Sequence, residues 1–369
     1  MSNFDSFKGS SFDTFTESLL GVRNQPTLFA FNGSNIAALS VDEWSSDSED
    51  IPEINSPFTG NGTIRDMVIF DEDLWAFGIS SSLNDYAVRW DGTDNKDAGG
   101  FDDDAYFGEV HDGKLYSVAT NNADVTEPVW LWDDEAETWS NVGGTPTAYS
   151  VSYAGLPRGL ETIDSGTFEG LYFSGNTTAI GGNSRATFWD ISSGSFVHVG
   201  PSAEPFAVTG NMLLNYGGSL YAGGSSWRQT AVPRFRQPIW KYTGSNTWTP
   251  LGAITDFTNT AAGATSICRT LGTFNGKICA YCHPVFAGGS ALATWDGEAW
   301  TELSTATDDG HIAHSMLDLG EDLLLLGTTK GSGFTNRVWD NKKKEFQPDG
   351  SFGGFMAGSV PVGKYIYYK

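Results

Sequence analysis

The chain has little positive charge, few cysteines and no long apolar run. Lys and Arg total 21 against 45 Asp and Glu, a formal net charge of −24. A surface of that sign repels phosphate backbones and anionic lipid, so nucleic acid and membrane are disfavoured as partners. Three cysteines in 369 residues are too few for a disulfide scaffold. No apolar stretch reaches the ~18 residues that a membrane-spanning helix needs. The first residues show no cationic segment followed by an apolar core, so no secretory signal is read there. A Gly-x-Ser-x-Gly elbow, a phosphate loop and a dinucleotide fingerprint are also missing. Charged residues make up only 18%, which argues against a disordered chain.

What is present is a repeated phrase. A short apolar strand runs into Trp-Asp-Gly or a near variant, and a second aromatic follows. Trp295-Asp296-Gly297 leads to Trp300, Trp132-Asp133 to Trp139, Trp189-Asp190 to Phe196, Tyr242-Thr243-Gly244 to Trp248, and Trp339-Asp340 to Phe346. Trp90-Asp91-Gly92 lacks a clear second aromatic, and Phe31-Asn32-Gly33 with Ile36 is degenerate. Thr27 to Ser40 aligns without a gap onto Ala291 to Ser304. The anchors at 31, 90, 132, 189, 242, 295 and 339 lie 42 to 59 residues apart. A period of ~40–50 residues built from strands is that of a β-propeller.

Upstream of each anchor lies a hairpin signal, an apolar alternation around a tight pair. Examples are His111-Asp112-Gly113-Lys114, Tyr216-Gly217-Gly218-Ser219 and Phe274-Asn275-Gly276-Lys277. Each unit therefore reads as strand a, tight turn, strand b, longer connection, strand c with its aromatic, short turn, strand d. Val360 to Tyr368 reads as a and b, and Thr27 to Ser40 as c and d. Joining them removes two exposed sheet edges. The expectation is an all-β chain: a single seven-bladed β-propeller over 26–369, closed by a composite blade from the N- and C-terminal strands. Residues 1–25 form an N-terminal anchoring or extension segment. The Trp residues are expected to pack between blades, and the Asp after each Trp to support the c–d turn.

Leu220-Tyr221-Ala222-Gly223-Gly224, with Tyr242 and then Trp248, resembles the kelch family and its galactose-oxidase-like relatives. Most other copies lack the double glycine. The resemblance implies a propeller and leaves function open, because such scaffolds serve enzymes, adaptors and adhesins alike.

In alternating strands, the b–c and d–a connections leave from one end, and these are the long ones, so recognition is expected there. Trp227, Arg228, Arg234 and Arg236 put an aromatic and three of the few cations in one such connection. That set suits sugar faces and carboxylate or sulfate groups, and the bland alternative is pairing with acidic neighbours. Lys342-Lys343-Lys344 sits in a c–d turn and reads as solvated. Phe4, Phe7, Phe12 and Phe15, from a small duplication eight residues apart, are the expected assembly-anchoring residues; packing on the propeller's own face is the alternative.

Metal chemistry is weakly signalled. Cys279-Ala280-Tyr281-Cys282-His283 has the spacing of a haem attachment site, and Cys268 could add to a Cys3His zinc set. Positions three apart on a strand point to opposite faces, so buried thiols are the preferred reading. His311 and His314 near Asp308 and Asp309, and the acidic stretch Asp94 to Asp104, lack recognised ligand spacing. No catalytic residue, metal or cofactor is expected.

Kelch-like propellers with a short anchor resemble fibre, spike or decoration proteins of tailed viruses. The expectation is thus a non-catalytic virion structural and recognition protein, made in the cytoplasm without a signal peptide and acting at the virion surface or outside the cell. Expected partners are other virion proteins through the N-terminal segment and host-surface glycans, with self-association left open and neither nucleic acid nor membrane insertion involved. The alternatives are a polysaccharide-acting enzyme, a glycoside hydrolase or lyase, on the same scaffold and an intracellular kelch-type adaptor.

Overall fold

Tight hairpins are the unit of construction. At Asp112-Gly113, Gly217-Gly218 and Asn275-Gly276 both central residues have positive φ, 49° and 68°, 59° and 70°, and 50° and 68°. That is the backbone of a type I′ turn, whose twist matches that of the strands it joins. The flanking pairs follow: His111 opposite Lys114, Tyr216 opposite Ser219, Phe274 opposite Lys277.

A computed structural model describes residues 27–32, 35–40, 49–50, 63–71, 73–79, 86–91, 95–98, 104–120, 129–143, 159–177, 185–199, 207–225, 239–252, 266–284, 290–306, 311–320, 322–330, 333–347 and 366–368. The first strands are β1 (Thr27–Asn32), β2 (Asn35–Ser40) and β3 (Glu49–Asp50). Next come β4 (Thr63–Phe70), β5 (Asp73–Ile79), β6 (Tyr86–Trp90) and β7 (Asn95–Asp97), and then β8 (Asp104–His111), β9 (Lys114–Thr120), β10 (Val129–Asp133) and β11 (Thr138–Asn141). They are followed by β12 (Gly159–Ile163), β13 (Gly170–Thr177), β14 (Arg185–Asp190) and β15 (Val197–His198). The chain continues with β16 (Ala207–Tyr216), β17 (Ser219–Ser225), β18 (Ile239–Gly244), β19 (Thr247–Pro250), β20 (Ser266–Phe274), β21 (Lys277–Pro284), β22 (Ser290–Trp295) and β23 (Trp300–Ala306). It ends with β24 (His311–Gly320), β25 (Leu323–Lys330), β26 (Gly333–Asp340), β27 (Glu345–Phe346) and β28 (Ile366–Tyr368).

These strands make an all-β propeller, and the blade count corrects the expectation. The arrangement is one of five blades, not seven. Five sheets are separate and four-stranded: β28-β1-β2-β3, β4 to β7, β8 to β11, β12 to β15, and β24 to β27. The segments expected to form two further blades instead share one eight-stranded sheet, β19-β18-β17-β20-β21-β22-β23, with β16 on β17. The join is the antiparallel pairing of Ser225 in β17 with Ile267 in β20. At the join a Cβ on Gly223 would lie 2.9 Å from the Cys268 Sγ, so the glycine admits the close approach of β17 to β20 there. Trp-Asp anchors count hairpins; they carry no information on whether adjacent sheets fuse. The two chain ends do meet in one sheet, with Thr27 opposite Tyr368 and Phe29 opposite Ile366.

The core is a series of layers between consecutive four-strand units. Trp75, Phe77 and Ala87 pack against Leu115 and Trp132. Val118 and Val129 meet Leu160, Leu171 and Phe173. Tyr172 and Ile163 meet Leu220, Tyr242 and Trp248. Tyr221 and Ile239 meet Leu271, Ile278 and Trp300, and Phe274 and Tyr281 meet Leu324, Leu326 and Trp339. The aromatics of the repeated phrase thus fill the gaps between sheets, with their rings edge-on or tilted, as in Trp75–Trp132 at 5.0 Å.

The second aromatic adds a polar link where it is Trp. Trp139 donates from its indole to the Ala98 carbonyl at 3.0 Å, Trp248 to Val199 at 2.9 Å, and Trp300 to Leu251 at 2.7 Å. Each acceptor lies just past the last strand of the preceding four-strand unit. The Asp after the first aromatic closes its own turn: Asp133 accepts from the Glu135 and Ala136 amides, Asp296 from Glu298 and Ala299, and Asp340 from Lys342 and Lys343.

Candidate functional site

The first strands of neighbouring units, β4, β8, β12, β16, β20 and β24, contact one another in turn and lie innermost. Such strands leave backbone N–H groups with no strand partner on their inner edge, and those groups need acceptors. Carboxylates supply them. Asp66, buried in β4, accepts from its neighbour Met67 and from the Gly108 amide of the next blade at 3.0 Å. Glu161 accepts from the Asn215 amide at 2.8 Å, and the Asn215 side chain donates to the Thr162 carbonyl. Asp318 accepts from the Asn275 amide at 2.7 Å and from Gly320. Asp322 accepts from the Asn275 and Asn341 side chains, which hold its carboxyl below the usual range. These residues were not anticipated. The signal that could have found them is a carboxylate or Asn at or near a hairpin, recurring from unit to unit.

These acids act as structural acceptors. A general acid needs a carboxyl held up near neutrality in a site open to substrate. Burial pushes the Asp73 carboxyl up, against the lowering by its contact with Arg89. Arg89 bonds Asp73 directly, reaches Asp134 at 3.7 Å, and lies over the Trp75 ring. The direct ion pair decides the chemistry: this is a charged clamp on a sheet, with no room for substrate between its partners.

The expected ligand set, Trp227, Arg228, Arg234 and Arg236, lies between β17 and β18, outside the described residues, as do Phe4, Phe7, Phe12 and Phe15. The structure does define the roots of that connection. On one side Ser225 is paired to Ile267 of β20. On the other Ile239, 1% exposed, begins β18 and sits in the core layer with Cys268 and Leu271. The segment 226–238 therefore springs from the seam of the eight-stranded sheet. Because the strands alternate in direction, the end of β17 and the start of β18 lie opposite the Gly217-Gly218 turn.

Cysteines occupy the same seam. Cys268 and Cys282 stand directly opposite each other on β20 and β21 and share one core layer, while Cys279 packs in the next layer. The strand geometry thus separates Cys279 from the other two. Cys268 donates to the Thr270 carbonyl at 3.3 Å. Among the described residues no group of three or more His, Cys, Asp or Glu side chains gathers to hold a metal ion. His311 starts β24 and His314 lies within it; their side chains, and Asp308 and Asp309, are outside the described residues. Of the stretch Asp94 to Asp104, Asp94 and residues 99–103 lie outside too. The basic run folds on its own turn: Lys343 Nζ is 3.4 Å from Asp340, and Lys344 donates to Asn341 at 2.7 Å.

The chain is thus a β-propeller protein with an acceptor-lined inner ring and a seam from which one long connection emerges. No family model matches it, and no curated protein does. Solved structures match in fold alone. A protein from Lactobacillus plantarum is similar at a TM-score of 0.59 and 10% identity, over 94% of this chain and 99% of that one. An oligogalacturonate lyase in complex with manganese gives a TM-score of 0.54 at 10% identity, over 87% and 84%. A post-proline cleaving enzyme from Rickettsia typhi gives 0.52 at 10% identity, over 92% of this chain and 55% of that one.

Proposed function

We propose that this chain is a kelch-like, non-catalytic recognition module of a virus particle, which attaches through the end of the propeller opposite its hairpin turns to acidic or sulfated glycans of a host surface. The supporting observation is the rooting of 226–238. One end is bonded into the neighbouring strand and the other starts in a buried core layer. A recognition segment on such roots loses less conformational freedom on binding than a free loop. Trp227 would stack on a sugar ring, and Arg228, Arg234 and Arg236 would meet carboxylates or sulfates in forked pairs. Residues 1–25 would anchor the module to another virion protein through Phe4, Phe7, Phe12 and Phe15.

The test is binding of the intact protein to arrayed acidic and sulfated glycans. Replacing the four ligand residues by Ala is expected to weaken binding by about a hundredfold or more, on the scale of several lost charge-assisted bonds. Equal binding by the variant would overturn the assignment. The second reading, an enzyme on polysaccharide, is favoured by the likeness in fold to a lyase. Incubation with polygalacturonate separates the two: shortened products would replace the non-catalytic reading.

A further inference from the structure

Cys268 and Cys282 are partners in the antiparallel register, and the pair next along, Ile267 and His283, continues it. Beyond Cys268 a bulge interrupts the ladder before Thr270. Both thiols are buried, at 0% and 3% exposure, and Cys279 faces another layer. Cβ atoms of directly opposed residues lie about 4.5–5.5 Å apart, and a disulfide takes about 3.5–4.5 Å, so closure asks the strands to draw in by roughly 1 Å. A bulge beside the pair supplies that freedom. The pair sits two residues from the open ends of β20 and β21, at Ser266 and Pro284, where strands fray first.

We propose that Cys268 and Cys282 are a redox pair that closes to an intrachain disulfide with a low-molecular-weight disulfide as oxidant, leaving Cys279 a thiol. One protein thiolate attacks the small disulfide, forms a mixed disulfide and expels one small thiolate. The second protein thiolate then attacks the protein sulfur of the mixed disulfide and expels the other. Two protein thiols lose two protons and two electrons, one S–S bond forms, and the small disulfide becomes two thiols. The hydrogen bond with Cys282 and burial both push the Cys268 thiol up, so the reaction waits on strand opening and quickens at higher pH. Ile267, the seam partner of Ser225, is the adjacent residue, so the bond would lock the hairpin at the root of 226–238. This inference is independent of the glycan reading.

Folded protein is equilibrated with reduced and oxidised glutathione, quenched with acid, alkylated and mapped by mass. Cleavage after Arg269, Lys277 and Tyr281 places each cysteine on its own peptide. The expected result is a fall from three free thiols to one, with the Cys268 and Cys282 peptides joined and lighter by two hydrogens. Cys279→Ser should form the same bridge. Three remaining thiols, a bridge through Cys279, or glutathione adducts alone would each overturn the proposal. The wild-type map decides it even if a variant does not fold.

Discussion

Two junctions of this propeller solve the same problem differently. Between the β4–β7 sheet and the β8–β11 sheet, side chains cross the gap. Asp66 reaches the Gly108 amide and Trp139 reaches the Ala98 carbonyl, while the Phe77 ring fills the space over Gly108. Between β17 and β20 the backbones themselves bond, at Ser225 and Ile267. At the side-chain junction the two blades stay distinct, and the Gly108 amide finds the Asp66 carboxylate of the neighbouring blade. At the backbone junction one strand pairing joins two units into a single sheet, with Gly223 leaving room for Cys268 beside it. Replacing a junction's acceptor or its glycine therefore tests what makes a blade a blade.

Asp66→Ala is expected to have the largest effect. It strands the buried Met67 and Gly108 amides, and orphaned donors beside a lost charged acceptor cost about 3 kcal/mol. Urea unfolding of the purified variant measures this. Asp66→Asn, which keeps one acceptor, should recover part of it. A loss below about 1 kcal/mol for Asp66→Ala would mean that water replaces the carboxylate and that this junction is not side-chain built.

At the seam the matching change is Gly223→Ala. The new Cβ would press on the Cys268 Sγ at 2.9 Å, and such overpacking costs about 2 kcal/mol. Cys268→Ala removes the obstructing sulfur, so the double variant should be more stable than the sum of the single effects predicts. Additive losses in the same unfolding assay would show that the glycine is needed for its backbone alone.

The hairpins and the packing aromatics were legible in the sequence, because both are local. Asn275-Gly276 writes its turn type in two residues, and Trp300 announces its layer by spacing from Trp295. The joining of the chain ends was legible as well, from half-units at 27–40 and 360–368. The blade count was not. It hangs on one pairing between Ser225 and Ile267, residues 42 apart with no anchor of their own, and nothing in a repeat period reports it. Nor were the carboxylate acceptors. Asp66 and Glu161 look like any strand acids until the neighbouring strand's unpaired amides are placed beside them. The ligand set at Trp227 to Arg236 stays an expectation, since only its roots are described.

Trp248→Phe sharpens the comparison on a smaller scale. Phe196 and Phe346 already occupy the equivalent place in other units without an indole N–H. The substitution keeps a ring in the layer and deletes the bond to the Val199 carbonyl, at a cost of about 1 kcal/mol. Trp300→Phe deletes the same kind of bond at the fused seam, where the backbone pairing also holds the sheets. Its loss should be smaller. Equal losses would mean that the single backbone pairing adds nothing to that junction.

The smallest effect is expected at the exposed c–d turn that Asp296 closes. Bonds from the Ala299 and Glu298 amides hold the Asp296 carboxyl below its ordinary value of 3.8. Because the folded value is the lower one, the stabilisation is complete above the unfolded value and drains away as pH falls through the folded one. Asp296→Asn keeps an oxygen for both amides but cannot titrate. At pH 7 the variant should unfold close to wild type. As pH falls below about 4 its stability should fall less steeply than that of wild type, other carboxylates cancelling in the difference. Parallel curves across that window would show that the turn carboxylate contributes through its shape and not through its charge.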